Sequence, residues 1–328
     1  MTDRPESSGG LLDLPLQQEL RSALGLDLAD RPNDMSLKKY LVDVLLDQLG
    51  NDLVATIGER DRDRPLVVDR FNLSDVLACE TFFVDKRNIP FRYNIRNARG
   101  QVAGVVLRRW YFRDPRTSVV EWDPIRSVHE VLDELGQEDD RLGIFVSGLT
   151  DGGRADMVSA VLEVVHSFEE CWAEGLVTQK VRAHSALRAS LLGNRLVLTY
   201  RVGFKFGQPR REDGAVMSSV VLFDLRPGHE YEEEERYSRW YAALLEVLQV
   251  GVAPRRVATW YAESQSAIGE DIDLAKLEAA ARRVAGGIRR MVELESGSRP
   301  PQANAGWRCG NCTLSDECAE GTQWLQHR

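Results

Sequence analysis

Three cysteines near the C-terminus constrain this chain more than any other feature. Cys309, Cys312 and Cys318 follow a C-x2-C-x5-C spacing. A closed zinc site or a cubane iron–sulfur cluster usually has four protein ligands, so this group lacks one. The other cysteines are Cys79 and Cys171, both far upstream. The spacing therefore predicts a metal centre that ties the C-terminal segment to a distant part of the fold.

The composition is that of a soluble globular protein. The chain has 328 residues, of which 43% are hydrophobic and 28% charged, and it can bury one large core or two smaller ones. No apolar run approaches the roughly 18 residues of a membrane span. Residues 1–10 lack the pattern of a signal peptide and predict a disordered leader. We expect a cytoplasmic protein without a membrane partner, in a compartment where cysteines bind metal rather than form disulfides.

The distribution of charge is uneven. The net charge of −9 argues against coating of nucleic acid by bulk positive charge. Arginines are nevertheless clustered at residues 108–113, 201–211 and 282–290. This pattern predicts a basic groove within an acidic surface.

The order of predicted elements indicates a mixed α/β core. We expect an N-terminal helical segment at residues 11–65, the core at 66–300 and the cysteine region at 301–328. Ser74 is predicted to cap a helix that carries Cys79 in its second turn. The other elements predicted within the core are a strand at 66–71, a hairpin at 91–112, a helix at 154–173, strands at 196–206 and 216–225, a helix at 237–250, a strand at 256–261 and a helix at 274–294.

Several of these features together resemble a known family. They are the strand that leads into residues 73–79, the acid-x-base tripeptide ending the second core strand, and the terminal C-x2-C-x5-C. They resemble the iron–sulfur branch of the RecB-like nucleases in the PD-(D/E)XK superfamily. That branch includes the AddB helicase-nuclease subunit and the nucleases of CRISPR spacer acquisition. The resemblance covers roughly residues 70–322 and implies a restriction-endonuclease-like mixed sheet flanked by helices.

The resemblance also implies a ligand set. Cys79, Cys309, Cys312 and Cys318 match the family's layout, with one thiolate near the start of the nuclease domain and three beyond its last helix. They would hold a 4Fe–4S cluster, and a four-cysteine zinc site is the alternative that spacing alone leaves open. Cys171 lies on an amphipathic helix and is predicted to be a buried structural thiol.

The catalytic signature of the family is incomplete. Its members hold a divalent metal with carboxylates on two adjacent strands, and a lysine follows two residues after the second acid. Asp224 matches that acid, but Arg226 replaces the lysine and cannot act as a base because it is always charged. The preceding strand, residues 196–206, contains no Asp or Glu. Asp224 is therefore predicted to be a degenerate remnant, at best a minimal Mg²⁺ or Mn²⁺ site.

Five basic residues are candidates for nucleic-acid contact. Arg201 and Lys205 share one strand face by the period of two, and Arg226 can bind a phosphate bidentately. Arg289 and Arg290 lie on the last long helix, where they could contact phosphates. A solvated face is the alternative interpretation for the strand pair and for the helix pair.

The sequence favours a nucleic-acid-binding, catalytically impaired iron–sulfur nuclease homologue. It would act on DNA as a subunit or adaptor, with a protein partner, in DNA processing or defence. Whether it is an enzyme stays open. The first alternative is an active nuclease whose metal ligands have moved to Asp156, Glu163, Glu212 or Asp213, and the second is a redox-responsive DNA-binding regulator.

Overall fold

The computed structural model describes residues 15–25, 28–34, 36–88, 92–111, 122–172, 181–213, 215–228 and 232–327. Within them the chain is a mixed α/β protein, as predicted. The strands are β1 (Arg31–Asn33), β2 (Leu66–Asp69), β3 (Val181–Leu191), β4 (Leu196–Phe206), β5 (Pro209–Glu212), β6 (Ala215–Ser218), β7 (Val221–Arg226), β8 (Arg256–Tyr261) and β9 (Ser266–Asp271).

Helices surround the strands. They are α1 (Pro15–Leu24), α2 (Leu37–Leu49), α3 (Asn51–Gly58), α4 (Arg70–Ala78), α5 (Glu80–Asn88), α6 (Ile95–Tyr111), α7 (Pro124–Leu135), α8 (Arg141–Ser147), α9 (Asp151–Cys171), α10 (Glu232–Val250), α11 (Leu274–Glu295) and α12 (Ala319–Gln326). None of the described helices has the length and apolarity needed to span a bilayer.

The main sheet mixes parallel and antiparallel pairs. Its order is β2-β4-β7-β8-β9, with β3 also paired to β4. The β2/β4 and β7/β8 pairs are parallel, and the β3/β4, β4/β7 and β8/β9 pairs are antiparallel. A parallel pair needs a crossover connection, which α10 supplies between β7 and β8. A smaller sheet has the order β1-β6-β5.

One edge of β4 is shared by two strands. β3 pairs with β4 between residues 196 and 206, so β2 and β7 have to use the opposite edge. β2 pairs with residues 196–199 and β7 with residues 204–206. In the described chain no strand pairs with residues 200–203 on that edge. The C-terminal ends of β2 and β7 therefore approach the same gap, and the side chains that follow them meet there.

Two apolar clusters cover the two faces of the sheet. The first is built by α2, α4, α10 and α11 and includes Leu45 and Ile288. The second is built by α1, α6, α7 and α9 and includes Val106 and Phe168. Removal of these apolar side chains from water is the main drive for folding. Because α2 belongs to the first cluster, the predicted N-terminal helical segment packs directly on the core.

Residues 95–111 form a helix, so the hairpin predicted at 91–112 is wrong. The valines and Gly100 suggested strands and a turn. In α6, Gly100 instead permits close packing, because a Cβ there would lie 2.7 Å from the ring of Pro227. The buried residues show the three-to-four spacing of a helix: Ala98, Val102, Ala103, Val106 and Leu107.

The structure confirms some of the predicted strands and corrects others. The predicted strands at 196–206 and 256–261 are β4 and β8. The strand predicted at 216–225 is two strands, β6 and β7, which belong to different sheets. β3 and β9 had not been assigned. The predicted leader at 1–10 lies outside the described residues.

Candidate metal centre and adjoining cleft

Cys79 lies at a break between two short helices. The carboxylate of Asp69 caps α4 by accepting hydrogen bonds from two backbone N–H groups, which fixes the start of that helix. α4 ends just before Cys79, which is extended (φ −154°, ψ 114°), and α5 begins at Glu80. The prediction that Ser74 caps the helix is therefore wrong, and Cys79 follows α4 rather than lying within its second turn.

The three C-terminal cysteines occupy different local structures. Cys309 lies in a turn of 3-10 helix, Trp307–Asn311, and Cys312 follows that turn. Cys318 is the N-cap of α12. Together with Cys79 they line one pocket. The fold thus brings the four predicted ligands together from opposite parts of the chain.

Cys171 is separate from this group. It is fully buried in the apolar cluster that contains Phe168, and its thiol donates a hydrogen bond to the Phe168 carbonyl over 3.0 Å. Burial raises the pKa of Cys171, which keeps the side chain a neutral thiol. It is a structural residue, as the sequence predicted.

Backbone N–H groups point at three of the four sulfurs. Cys79 accepts from Phe82 N over 3.5 Å, and Cys309 and Cys318 each accept from a glycine N–H over 3.4 Å. Such contacts stabilise thiolates and orient metal ligands. Burial is the main cause that raises the pKa of Cys312, and neighbouring Asp85 adds to it. A bound cation would offset this cost, because a coordinating thiol is deprotonated.

The thiols share a pocket without converging on one point. In the described part of the chain, no three His, Cys, Asp or Glu residues are placed to hold a single metal ion. Four thiols, three of them with N–H donors, are nevertheless the type of ligand that a four-thiolate centre uses. The donor chemistry of the pocket therefore fits such a centre, although the thiols are not placed around a single point.

An ion-pair network fastens the C-terminal segment (residues 299–327) to α5. Glu80 is almost completely buried, and its two oxygens accept hydrogen bonds from Arg299 over 2.6 and 2.8 Å. The backbone N–H of Gln302 also donates to Glu80, and Asn304 donates to the carbonyl of Ala78. Bidentate contacts of this kind fix geometry as well as supplying energy.

A second network lies beside Cys309. Arg308 is 5% exposed and donates to Asp75 over 2.8 Å and to Ser74 over 2.7 Å. It also pairs with Glu234 of α10. The residue next to a predicted ligand thus joins the C-terminal segment to α4 and to α10.

These networks predict acid sensitivity. Hydrogen bonds from Arg299 are the largest cause that lowers the pKa of Glu80. A carboxylate with a lowered folded-state pKa stabilises the fold above its ordinary pKa of about 4.3, and this stabilisation is lost as pH falls through the lowered value. The melting temperature of the wild type should therefore fall more steeply below about pH 5 than that of Glu80→Gln. Thermal unfolding between about pH 6 and 3 measures both slopes, and parallel slopes would contradict the assignment.

Asp224 lies at the gap in the sheet and is surrounded by donors. Its Oδ2 accepts hydrogen bonds from the Tyr200 hydroxyl over 2.6 Å and from Arg226 over 3.0 Å. Its Oδ1 accepts from the backbone N–H of Gly203 over 2.8 Å. The guanidinium of Arg70 is 4.0 Å from Oδ2. These contacts occupy the positions from which Asp224 would bind a metal ion.

The second strand offers no acid to Asp224. The side chain that β4 places beside it is Tyr200. Glu235 of α10 is the other carboxylate here, but Arg226 lies 3.6 Å from it and also pairs with Asp224. Burial raises the pKa of Asp224 and of Glu235, and Arg70 opposes this in both cases. Arg226 thus pairs with both acids and Arg70 adds a second positive charge near Asp224, which disfavours a divalent cation.

A cleft of about 340 Å³ is lined by residues of α4, by Arg226 of β7, by residues of α10 and by Trp307 and Arg308 of the C-terminal segment. Phe71 and Trp307 line it, and they are 58% and 40% exposed. Arg70 stacks on Phe71, with 4.2 Å between the guanidinium and the ring centroid. The cations that line the cleft are Arg70, Lys86, Arg226, Arg283 and Arg308, and the acids are Asp75, Glu234 and Glu235.

Lys205 does not face this cleft. It is buried and pairs with Glu246 of α10, which is completely buried. β4 gives Val202 to the cluster under α10 but Phe204 to the cluster on the opposite face. The alternation of side chains between the two faces of β4 is therefore interrupted between Val202 and Phe204. Arg201 and Lys205 consequently do not share one face, contrary to the prediction.

The other predicted phosphate contacts have different surroundings. Arg289 donates to the carbonyls of Gln48 and Leu49 at the end of α2, over 2.8 and 3.3 Å. Arg290 pairs with Glu80 at 3.7 Å. Both side chains thus join elements of the fold, whereas Arg201 is exposed on β4 and Arg226 lines the cleft.

Sequence reasoning missed four residues of this region. Arg70 begins α4 and Glu235 lies in the first turn of α10, and neither residue belongs to a motif. Tyr200 is a hydrophobic-type residue on a predicted core strand, and its contact with Asp224 depends on the gap in the sheet. Arg308 gave the one usable signal, because it directly precedes Cys309.

Comparison with known proteins leaves the family open. No family model matches the chain, and no curated protein matches it. Among solved structures, the crystal structure of SSO0001 aligns at 10% sequence identity over 85% of this chain and 95% of that chain, with a TM-score of 0.31. Similarity at that level carries no argument about fold family or function.

Proposed function

We propose that this protein binds single-stranded nucleic acid in the cleft and does not cleave it. The observation that carries the proposal is the cleft itself. Exposed aromatic rings and arginines line a cavity in which the acid Glu235 is already paired with Arg226. The same region therefore supports binding of nucleic acid and argues against its cleavage.

The lining suits unpaired nucleotides. Bases stack on exposed aromatic rings regardless of sequence, and arginine adds cation–π and phosphate contacts. Phe71 and Trp307 supply rings, and Arg70 supplies a guanidinium beside Phe71. The basic lining is local, so it is compatible with the net charge of −9.

The surroundings of Asp224 support the proposal that the protein does not cleave nucleic acid. Metal-dependent hydrolysis needs carboxylates that are free to bind the ion. Arg226 pairs with both Asp224 and Glu235, and Tyr200 adds a hydrogen bond to Asp224. The candidate relocated ligands Asp156, Glu163, Glu212 and Asp213 are not among the residues that line the cleft.

The scaffold we propose is the restriction-endonuclease-like fold of the PD-(D/E)XK superfamily, with β7 as its acid-x-base strand. Cys79, Cys309, Cys312 and Cys318 would hold a 4Fe–4S cluster. Their common pocket supports one centre held by all four thiols, and zinc stays the alternative. The cluster would supply structural bracing. The resemblance further suggests a cytoplasmic subunit or adaptor that acts on DNA with a protein partner, in DNA processing or defence.

Loss of an exposed ring tests the binding site. Phe71→Ala should weaken binding of a fluorescein-labelled oligodeoxynucleotide roughly tenfold or more, because stacking is worth about 1–3 kcal/mol per base. Ile144→Ala is the matched control, since Ile144 is 61% exposed and does not line the cleft. Fluorescence anisotropy at fixed salt gives both affinities. Equal affinities of Phe71→Ala and wild type would place binding elsewhere.

Cleavage is tested on the same preparation. We expect intact single-stranded and duplex DNA after incubation with Mg²⁺ or Mn²⁺. Metal-dependent cleavage that disappears in Asp224→Ala would overturn the proposal and support the active-nuclease alternative.

A further inference from the structure

We infer that Arg308 couples the cysteine centre to the cleft by forming ion pairs with two acids of the cleft, Asp75 and Glu234. This inference rests on the proposed function and names how that site is regulated. When the cysteine centre is assembled, Arg308 neutralises the cleft wall and nucleic acid binds. When the centre is lost, Arg308 withdraws, and the uncovered acids repel phosphates.

The contacts of Arg308 define its role in the wall. Its Nε donates to Asp75 over 2.8 Å, and its two terminal nitrogens both reach Glu234. Asp75 and Glu234 line the cleft. Of the three acids in the lining, the remaining one, Glu235, pairs with Arg226. Arg308 is therefore the counter-charge of Glu234, and it shares Asp75 with Lys86, whose ammonium lies 2.5 Å from the other carboxylate oxygen.

The position of Arg308 depends on the residues beside it. Arg308 and Trp307 share the 3-10 turn with Cys309, so ligation of Cys309 places both. Upstream, the Glu80–Arg299 pair and the Asn304 contact fasten the segment independently. Downstream of residue 304, contacts to the rest of the fold include those of residues 307–308, those of the cysteine pocket and the pairing of Thr313 with Asp85. In the detached state, residues 305–318 leave the fold while residues 299–304 stay held by Glu80 and Ala78.

The effect on binding has a definite sign. An uncovered carboxylate near a phosphate is repulsive, and the repulsion is strongest at low salt. Detachment also removes the ring of Trp307 from the cleft. By linkage, nucleic acid in the cleft should stabilise the assembled cysteine centre by the same factor.

Removing the charges at these contacts, first one and then all three, distinguishes the coupling from simple structural damage. Arg308→Gln should bind the labelled oligodeoxynucleotide at least about tenfold more weakly, because Glu234 loses its counter-charge and Asp75 keeps only that of Lys86. Adding Asp75→Asn and Glu234→Gln to Arg308→Gln should restore most of the affinity. Arg282→Gln is the matched control, since Arg282 is an exposed arginine of α11 that pairs with Glu278 outside the cleft. Unchanged binding by Arg308→Gln, or no rescue in the triple variant, overturns the inference.

A readout without nucleic acid tests the coupling itself. Hydrogen exchange of residues 305–313 should be faster in Cys318→Ser than in wild type, while residues 299–304 stay protected. Equal exchange of residues 305–313 in the two proteins overturns the inference. Absence of oligonucleotide binding by the wild type overturns the proposed function instead, and the exchange result then decides on the coupling alone.

Discussion

Replacing Cys79 by Ser should abolish the metal centre, although Cys79 is far from the C-x2-C-x5-C group in sequence. Iron and sulfide per chain, or zinc per chain, should fall to background in Cys79→Ser, as they should in Cys309→Ser. The reason is that Cys79 completes the set of four thiols lining one pocket. A centre with three thiolates is open, and a closed structural site needs four.

Cys171→Ala is the matched control. Cys171 is buried in the other apolar cluster and should leave the metal content unchanged, at a modest cost in stability. The measurement is anaerobic purification followed by iron, sulfide and zinc analysis with a visible spectrum. Iron and sulfide in equal amounts would support the cluster, whereas one zinc per chain in a colourless protein would favour the zinc alternative. Full metal content in Cys79→Ser would contradict the ligand assignment.

The resemblance to the iron–sulfur nucleases implied the set Cys79, Cys309, Cys312 and Cys318, and the structure places these four around one pocket. Spacing alone identified the three C-terminal thiols and left Cys79 and Cys171 as candidates for the fourth. The apolar pattern around Cys171 marked it as a core residue, and that burial is observed. The break between α4 and α5 could not be predicted from the sequence. Asp69 at the end of β2 caps α4, so this helix begins and ends earlier than the helix predicted to start at Ser74.

Elements were predictable where local pattern and tertiary packing agree. α9 and α11 have long amphipathic patterns and were located within a few residues. In α6 the two signals disagree, since local residue preferences favour strands while burial follows a helical period. Packing against α9 and β7 outweighs local preference there, and a single sequence does not reveal that packing.

The surroundings of Asp224 depend on partners distant in sequence. Its ion pair with Arg226 is a local contact, because the two residues are close together on one strand. The contacts of Asp224 with Tyr200 and of Arg226 with Glu235 arise only where β2 and β7 leave part of β4 uncovered. Register of this kind is set by the whole sheet.

Lys205→Met should lower the free energy of unfolding by about 3–5 kcal/mol, because it leaves the Glu246 carboxylate buried without its partner. Lys205 is 7% exposed and Glu246 is fully buried. Urea denaturation followed by circular dichroism measures the change. Under conditions where the variant is folded, its affinity for the labelled oligodeoxynucleotide should equal that of wild type, because Lys205 does not line the cleft.

The double variant Lys205→Met with Glu246→Leu distinguishes an unpaired charge from poor packing. Replacement of both members of a buried ion pair by apolar residues is often neutral or stabilising. We therefore expect the double variant to recover most of the stability lost in Lys205→Met. If Lys205→Met instead leaves stability unchanged and weakens DNA binding, Lys205 contacts nucleic acid, as the period of two along the strand predicted. The structure favours the first result, because β4 directs Lys205 toward α10 and away from the solvent.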